Sequence, residues 1–252
     1  MSPTLKTAAV SLACALLLVR PTLAQDISSP GHFMGGPMPG MDDNPAFFHV
    51  LLEQFEDRTD GAGHAFRYDG QGWYGTDLDK LWVKSEGLLT DRGRFEDGQH
   101  EVLYDRAIST FFDLQGGLRV DADTGPTREW GAIGIQGLAP YFVDVEATAY
   151  FSDRGGAARL KGSYDLLITQ RLVLQPEAEL NFYTASDRER GVGSGLSDID
   201  AGLRLRYEIS RKFAPYIGVS YQGKFGQAAG FARQDHESTD DVRLAFGVRA
   251  WF

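Results

Sequence analysis

The last eleven residues, VRLAFGVRAWF, alternate between apolar and polar positions with the period of two that is typical of a β-strand. Val242, Leu244 and Phe246 fall on one face of this predicted strand, and Arg243 and Arg249 fall on the other. The same alternation recurs over most of the chain and predicts about twelve strands. They lie near 47–57, 66–74, 79–90, 99–109, 112–122, 127–138, 140–151, 157–169, 172–185, 197–209, 213–225 and 241–252.

The predicted strands are long enough to cross a bilayer, which takes about 9–11 tilted residues, whereas the strands of a soluble sandwich average about 5–6. The links between them alternate in length. Ala139-Pro140, TQR and SRK are short, while SDRGGA, SDRERGVGSGLS and GQAAGFARQDHESTD are longer. Bacterial outer-membrane barrels show this rhythm, because their periplasmic turns are short and their extracellular loops are long. A sandwich has no need of it.

These patterns predict an all-β protein. We expect an antiparallel transmembrane β-barrel of about 12 strands over residues 46–252, preceded by a short disordered periplasmic segment. No amphipathic helix of comparable length is predicted between the strands. Phe252, with apolar residues at alternate positions before it, matches the assembly signal of bacterial outer-membrane barrels.

The N-terminus carries a predicted signal peptide over residues 1–24. Lys6 precedes an apolar run from Ala8 to Val19, and small residues precede Gln25. The run is too short to span a bilayer as a helix, which needs about 20 residues. We therefore expect an exported protein of the bacterial outer membrane, in contact with its lipids.

Charge and cysteine content narrow the possible partners. The formal net charge is −10, which disfavours nucleic acid as a partner and favours cations. The single cysteine, Cys14, lies inside the predicted signal peptide. The exported chain would then have neither disulfides nor thiolate metal ligands.

Every methionine except the initiator lies in the stretch GHFMGGPMPGMDD, within a predicted periplasmic segment over residues 25–45. Glycine and proline prevent a regular element there, so these methionines fill no core. The candidate metal ligands are His32, Met34, Met38 and Met41. Thioethers select Cu(I), and imidazole suits Cu(I) or Cu(II). The alternative is a flexible linker in which the methionines are incidental.

Other histidines are weaker candidates. His49 lies in the first predicted strand and His64 in the link after it, and we include both as possible copper contacts. A lone histidine in a barrel can equally be a polar residue of the lumen or rim. His100 begins the fourth predicted strand, and His236 lies in the last long loop, where we expect it to be solvated.

The inward faces of the predicted strands are densely charged. The acidic members are Asp69, Glu86, Asp113, Asp144, Glu146, Asp165, Glu177, Glu179, Asp198 and Asp200. The basic members are Arg67, Lys84, Arg119, Arg159, Arg204, Arg206 and Arg243. These side chains can either neutralise one another and fill a narrow barrel, or line a path for cations.

Nothing in the sequence predicts catalysis. The stretch GVGSG is not a nucleophile elbow, because Val192 and Leu196 occupy the two positions that need glycine. We therefore predict a protein that is not an enzyme.

Four stretches resemble the copper resistance protein B (CopB) family of outer-membrane proteins. They are FFHVLLEQFEDR, YDGQGWYGTDLDKLWVKSEG, EVLYDRAISTFFDLQGGLR and WGAIGIQGLAPYFVDVEATAYF, within a similarity that runs from about Asn44 to Phe252. The family has a periplasmic region rich in Met and His that is thought to bind copper. His32, Met34, Met38 and Met41 stand in the matching place, although the region is short here.

The resemblance implies a copper-binding protein of a copper resistance and homeostasis system. It would bind Cu(I), Cu(II) or both at the Met/His segment, and either sequester copper or transport it across the outer membrane. A periplasmic copper protein is the implied partner. The alternative is a general porin or structural barrel without specific metal binding.

Overall fold

The computed structural model describes residues 45–61, 63–91, 93–123 and 125–252. The predicted signal peptide over 1–24 lies outside the described residues. So do residues 25–44 of the predicted methionine segment, with His32, Met34, Met38 and Met41. What the structure describes is almost entirely β-strand.

The elements follow one another with short connections. The strands are β1 (Phe47–Thr59), β2 (His64–Gly75), β3 (Asp79–Thr90), β4 (Phe95–Ala107), β5 (Phe112–Asp121), β6 (Arg128–Ala139), β7 (Val143–Ser152), β8 (Gly155–Tyr164), β9 (Leu166–Leu167), β10 (Leu172–Tyr183), β11 (Gly195–Tyr207), β12 (Phe213–Lys224) and β13 (Asp240–Trp251). One helix, α1 (Gly226–Gln234), lies between β12 and β13, and two 3-10 turns cover Pro140–Phe142 and Arg188–Arg190.

The strands form one closed antiparallel sheet. Each pairs with its neighbours in the chain, and β1 pairs with β13 to close the ring. The two-residue β9 continues β8 past Asp165, and both pair with β10, so the closed sheet has twelve strand positions. The predicted 12-strand antiparallel barrel is confirmed, and the observed strand bounds lie close to the predicted ones.

Side chains alternate between an apolar exterior and a polar interior. Leu118 on β5 and Ile133 on β6 are 66% and 53% exposed on the outer surface. Their neighbours along the strand that point inward include Arg119, which is buried. Because an exposed apolar belt of this kind is stable only against hydrocarbon, the outer face is the lipid-facing surface.

A β-bulge in β1 changes which residues face the lumen. The pairing of β1 with β2 shifts between Leu52 and Gln54. Before the shift the even-numbered Phe48 is exposed, and after it the odd-numbered Phe55 is exposed. An inserted residue reverses the side-chain alternation of a strand. Glu56 and Arg58 are consequently buried, although the sequence alternation did not assign them to the interior.

The two ends of the barrel differ. We call the end that holds Pro45 and Phe252 the terminus end and the opposite end the loop end. Connections at the terminus end are short: 76–78, 108–111, 140–142, 168–171 and 208–212. The longest connections, 184–194 and 225–239, lie at the loop end. This rhythm matches the prediction, except that SDRGGA is a tight two-residue link, since β8 already begins at Gly155 with a φ of +125°.

Exposed aromatic side chains crowd the terminus end. They include Phe47, Phe48, Tyr74, Tyr104, Phe111, Tyr141, Phe142, Tyr207, Phe213 and Phe252. Tyr141 and Phe142 form the tip of a tight turn, with φ values of 67° and 63°, and are 88% and 75% exposed. Aromatic rings at this level form the interfacial girdle of a membrane barrel.

Helix α1 was not predicted. The sequence indicated only a long loop here, but nine of its residues form a helix that buries Ala228, Ala229 and Ala232 beside β11 and β12. Its buried face consists of small residues, so hydrophobic periodicity gives little signal. Within the part of the chain that the structure describes, no helix is long and apolar enough to cross a bilayer.

We predict that a charge on the outer face costs stability according to its depth. Ile133→Arg, in the middle of β6, should lower the free energy of unfolding by about 2–4 kcal/mol, because the guanidinium would face hydrocarbon. Leu78→Arg, in a turn at the terminus end, should cost about 0–1 kcal/mol. Reversible urea unfolding in lipid vesicles measures both. Equal costs would show that these residues do not lie at different membrane depths.

A charged lumen as the candidate functional site

The interior of the barrel contains ion pairs that cross from one wall to another. Glu56 on β1 accepts hydrogen bonds from Arg58 Nε at 2.7 Å and from Arg204 Nε of β11 at 3.0 Å. Tyr216 Oη of β12 also donates to Glu56, at 2.9 Å. The side chains of Glu56 and Arg58 are fully buried. Because β11 and β1 are not neighbours in the sheet, the pair of Glu56 and Arg204 links separate walls of the lumen.

A second group of pairs centres on Arg159 of β8. Its guanidinium lies 3.0 Å from a Glu86 oxygen, 3.4 Å from Glu179 and 3.6 Å from Glu101. Glu86 also pairs with Arg67 Nη2 at 3.0 Å. These carboxylates come from three different strands, so Arg159 holds β3, β4 and β10 together from inside.

Lys161 extends this network toward the terminus end. Its Nζ lies 2.8 Å from Asp69 and 3.7 Å from Glu177. We call the whole group the central ion-pair layer. Its members are Glu56, Arg58, Arg67, Asp69, Glu86, Glu101, Arg159, Lys161, Glu177, Glu179, Asp200 and Arg204.

The described residues of the barrel enclose a cavity toward each end. The terminus-end cavity has a volume of about 460 Å³, and the loop-end cavity about 470 Å³. Both are lined by Glu86 and Gln99, so they meet at the central ion-pair layer. The lumen is therefore two polar chambers on either side of a layer of paired charges.

Both chambers are acidic. The described residues that line the terminus-end cavity include nine carboxylates and four basic side chains, and those of the loop-end cavity include thirteen and seven. Every charged residue that the sequence alternation assigned to the interior lines one of these cavities or is buried in an ion pair. The predicted charged lumen is confirmed, and its sign favours cations over anions.

Ion pairs also hold the 184–194 loop across the loop end. Arg128 Nη2 lies 3.0 Å from Asp187 and 3.0 Å from Glu189, and Arg190 pairs with Asp123 at 2.5 Å. These contacts fix the loop over the mouth of the loop-end cavity, which Arg188, Glu189 and Arg190 line.

The structure does not bring His49 and His64 together. His49 pairs with Trp73 near the terminus end, while His64 pairs with Thr59 at the loop end. The ten residues between these levels on β1 correspond to roughly 30 Å at about 3.4 Å per residue. His64 is exposed, and its Nδ1 lies 3.0 Å from an oxygen of Asp57.

Two further described histidines, His100 and His236, lie outside the lumen. β4 begins at Phe95 rather than at His100, and His100 shares the outward face with the exposed Val102. Its Nδ1 lies 3.0 Å from Ser85 Oγ, so two polar groups satisfy each other on the outer surface. His236 follows α1 in the last loop. Among the described residues, no group of three or more His, Cys, Asp or Glu side chains is arranged to hold a metal ion.

Aromatic residues line the interior at the terminus end. The row Trp251, His49, Trp73 and Trp82 crosses the neighbouring strands β13, β1, β2 and β3. The His49 ring lies between two indoles, with centroids 5.5 Å from Trp251 and 6.0 Å from Trp73. Trp82 Nε1 donates to Gln71 Oε1 in the terminus-end cavity. This row was not predicted from the sequence, although alternation places these residues on the face opposite the exposed Phe48 and Tyr74.

We predict that Glu56 is essential for the stability of the barrel. Glu56→Ala would leave Arg58 and Arg204 buried without their shared carboxylate and should lower the free energy of unfolding by about 3–5 kcal/mol. Glu56→Gln keeps the shape and one acceptor and should cost less. Asp153→Ala, in an exposed turn, is the control and should change little. Urea unfolding in vesicles gives the comparison, and a loss for Glu56→Ala no greater than the control would contradict it.

Comparison with known proteins agrees with the sequence resemblance. Residues 46–252 match a family model described as Copper resistance protein B precursor (CopB). A copper resistance protein B homolog from Pseudomonas syringae pv. tomato is 46% identical over 208 residues, which are 82% of this chain and 70% of that protein. Copper resistance protein B from Escherichia coli is 42% identical over 211 residues, 83% of this chain and 71% of that protein.

Among solved structures, the barrel resembles the NanC porin. The TM-score is 0.53 with 13% sequence identity, and the match covers 81% of this chain and 99% of that chain. At this identity the likeness shows the fold alone, a porin-like outer-membrane barrel.

Proposed function

Because the chain belongs to the copper resistance protein B family, we propose that it binds copper and moves it through, or retains it at, the outer membrane. Membership supports a role in copper resistance, and the porin-like barrel places the chain in the outer membrane. Both the family and the fold favour a non-enzymatic protein.

The observation that carries the proposal is the acidic lumen. Carboxylates outnumber basic side chains in both cavities, so the local concentration of cations inside the barrel is raised and that of anions lowered. Oxygen ligands are too hard to hold Cu(I) firmly, which suits passage rather than storage. The central ion-pair layer is then the narrow point that a cation must pass.

The methionine segment supplies the retention. Three thioethers and one imidazole, from Met34, Met38, Met41 and His32, form a soft donor set for copper. The chain enters β1 at the terminus end, which has the short turns expected on the periplasmic side. In this proposal the segment takes copper from, or passes it to, a periplasmic copper protein. His49 is the candidate contact within the barrel at that end, and His64 the candidate at the loop end.

A general porin or structural barrel without specific metal binding remains the alternative. It would share the fold and the cation preference but would gain nothing from the clustered methionines. The affinity of the chain for copper therefore distinguishes the two functions, whereas the properties of the barrel do not.

We predict that replacing Met34, Met38 and Met41 together by isoleucine weakens Cu(I) binding much more than Cu(II) binding. The substitution keeps comparable bulk and removes every thioether, while His32 and the neighbouring carboxylates can still bind the harder ion. Competition titration of the full chain with chelators of each oxidation state measures the two affinities.

The control for this variant is His32→Ala, which should have a milder effect on Cu(I) because three sulfurs remain. The barrel should assemble normally in both. If the triple variant binds Cu(I) as tightly as the parent, the methionines are linker residues and the alternative function is favoured.

We also predict a cation-selective conductance that depends on the terminus-end cavity. Asp144→Asn removes one of the carboxylates that line this cavity and should shift the reversal potential toward chloride in planar bilayers under a KCl gradient. Asp153→Asn, outside both cavities, should leave the potential unchanged. A parent barrel that conducts without preference for cations would contradict the proposed path.

A further inference from the structure

Three of the four tryptophans of the chain line the lumen at one end instead of facing lipid. Aromatic residues of a membrane barrel normally face outward at the interface. Trp73, Trp82 and Trp251 instead share the inward face with Gln71 and Arg249, which line the terminus-end cavity. The girdle at this level is already supplied by exposed phenylalanine and tyrosine, so the inward tryptophans need a different explanation.

His49 is the only imidazole in this row, and its ring lies between two indole rings. Its ring is tilted by 39° to Trp73 and by 46° to Trp251. Trp73 stands directly opposite His49 in the pairing of β1 with β2, and Trp251 pairs with Leu51, two residues further along β1. The backbone register therefore places one imidazole between two indole rings.

Soft donors are otherwise scarce in the barrel. All methionines lie at or before Met41, and the only cysteine is Cys14, so residues 46–252 contain no sulfur. Soft cations bind imidazole nitrogen. Cations are also attracted to aromatic faces, and the indole of tryptophan attracts them most strongly. In the lumen these two donor types occur side by side only at His49, among the residues that the structure describes.

Cations already lie against Trp73 and Trp251, the two indoles beside His49. Lys80 Nζ lies 5.9 Å from the centroid of the Trp73 ring, and Lys212 Nζ lies 5.2 Å from that of Trp251. Both distances are within the range of a cation–π contact. The faces of Trp73 and Trp251 are therefore oriented so that positive charge can approach them.

We propose that His49, Trp73 and Trp251 form a binding site for a soft monovalent cation, Cu(I) in the cell, at the terminus end of the lumen. The imidazole nitrogen is the ligand, and the two indoles stabilise the ion through their π faces. This inference rests on the proposed copper function and deepens it. Met41, the last methionine, precedes His49 by eight positions in the sequence. The site is then the first soft contact that the barrel offers after the methionine segment.

The test uses silver(I), a soft monovalent probe that needs no reductant, and the full chain refolded in detergent. The background is the variant with isoleucine at positions 34, 38 and 41, so that thioethers do not compete. Silver should bind this background and quench its tryptophan fluorescence. His49→Phe keeps a ring between the indoles but removes both nitrogens. It should weaken silver binding by at least about tenfold, because removing even a residue that only hydrogen-bonds to a metal ligand costs this much affinity.

Two further variants locate the site. His100→Phe, which removes an imidazole from the outer face of β4, is the matched control and should bind silver like the background. Trp73→Leu should weaken binding and reduce the quenching, because one π face is lost. Equilibrium dialysis gives the affinities, and heat-modifiable migration on gels confirms that each variant has folded.

The outcomes separate this inference from the proposed function. If the His49→Phe variant binds silver as tightly as the background, or Trp73→Leu leaves the affinity unchanged, the site is wrong. If the parent binds silver but the isoleucine background does not, the inference falls and the copper function of the methionine segment stands. If neither the parent nor the isoleucine background binds silver, both the inference and the proposed copper function fail.

Discussion

The closure of the sheet is the constraint on which the rest of the structure depends. Hydrocarbon offers no partner to a backbone amide or carbonyl, so a strand edge inside a bilayer would leave a row of unsatisfied groups. The pairing of β1 with β13 removes that edge, and the amides of Val50 and Phe252 each donate to the other's carbonyl at the point where the ring closes. Once the ring is closed, every strand must have one face toward lipid and one toward the lumen, and the alternation of apolar and polar residues follows.

A twelve-strand ring encloses a narrow lumen, and this determines how its polar side chains are satisfied. Charged groups on opposite walls come within hydrogen-bonding distance, as Lys161 of β8 and Asp69 of β2 do. Such a pair is weak evidence for net stability, since desolvation offsets much of the attraction, but loss of one partner leaves a buried charge uncompensated. The same layer divides the interior into two chambers. Because carboxylates are in excess in both, the pairing leaves a residual negative potential that favours cations.

Hard and soft donors are separated along the chain. Among the described residues, the lumen provides carboxylates, with imidazole and indole together only near His49, and all sulfur of the chain precedes Pro45. In the proposed function, the methionine sulfur atoms retain copper, and the carboxylate oxygens of the lumen allow it to pass. The aromatic row at the terminus end is the proposed soft site of the barrel itself, which gives the inward tryptophans a role that the lipid-facing girdle cannot have.

The sequence by itself determined the fold class, the number and approximate bounds of the strands, the charged interior and the family, because alternation with a period of two and contiguous sequence blocks are local properties. Only the tertiary structure decided which charges pair, since Arg204 meets Glu56 through ring closure across 148 positions of the chain. It also decided that the bulge after Leu52 turns Glu56 and Arg58 inward, and that α1 forms from a run of small residues. The separation of His49 from His64 by the length of a strand, and the placing of His49 between two indoles, likewise depend on strand register, which no local pattern contains.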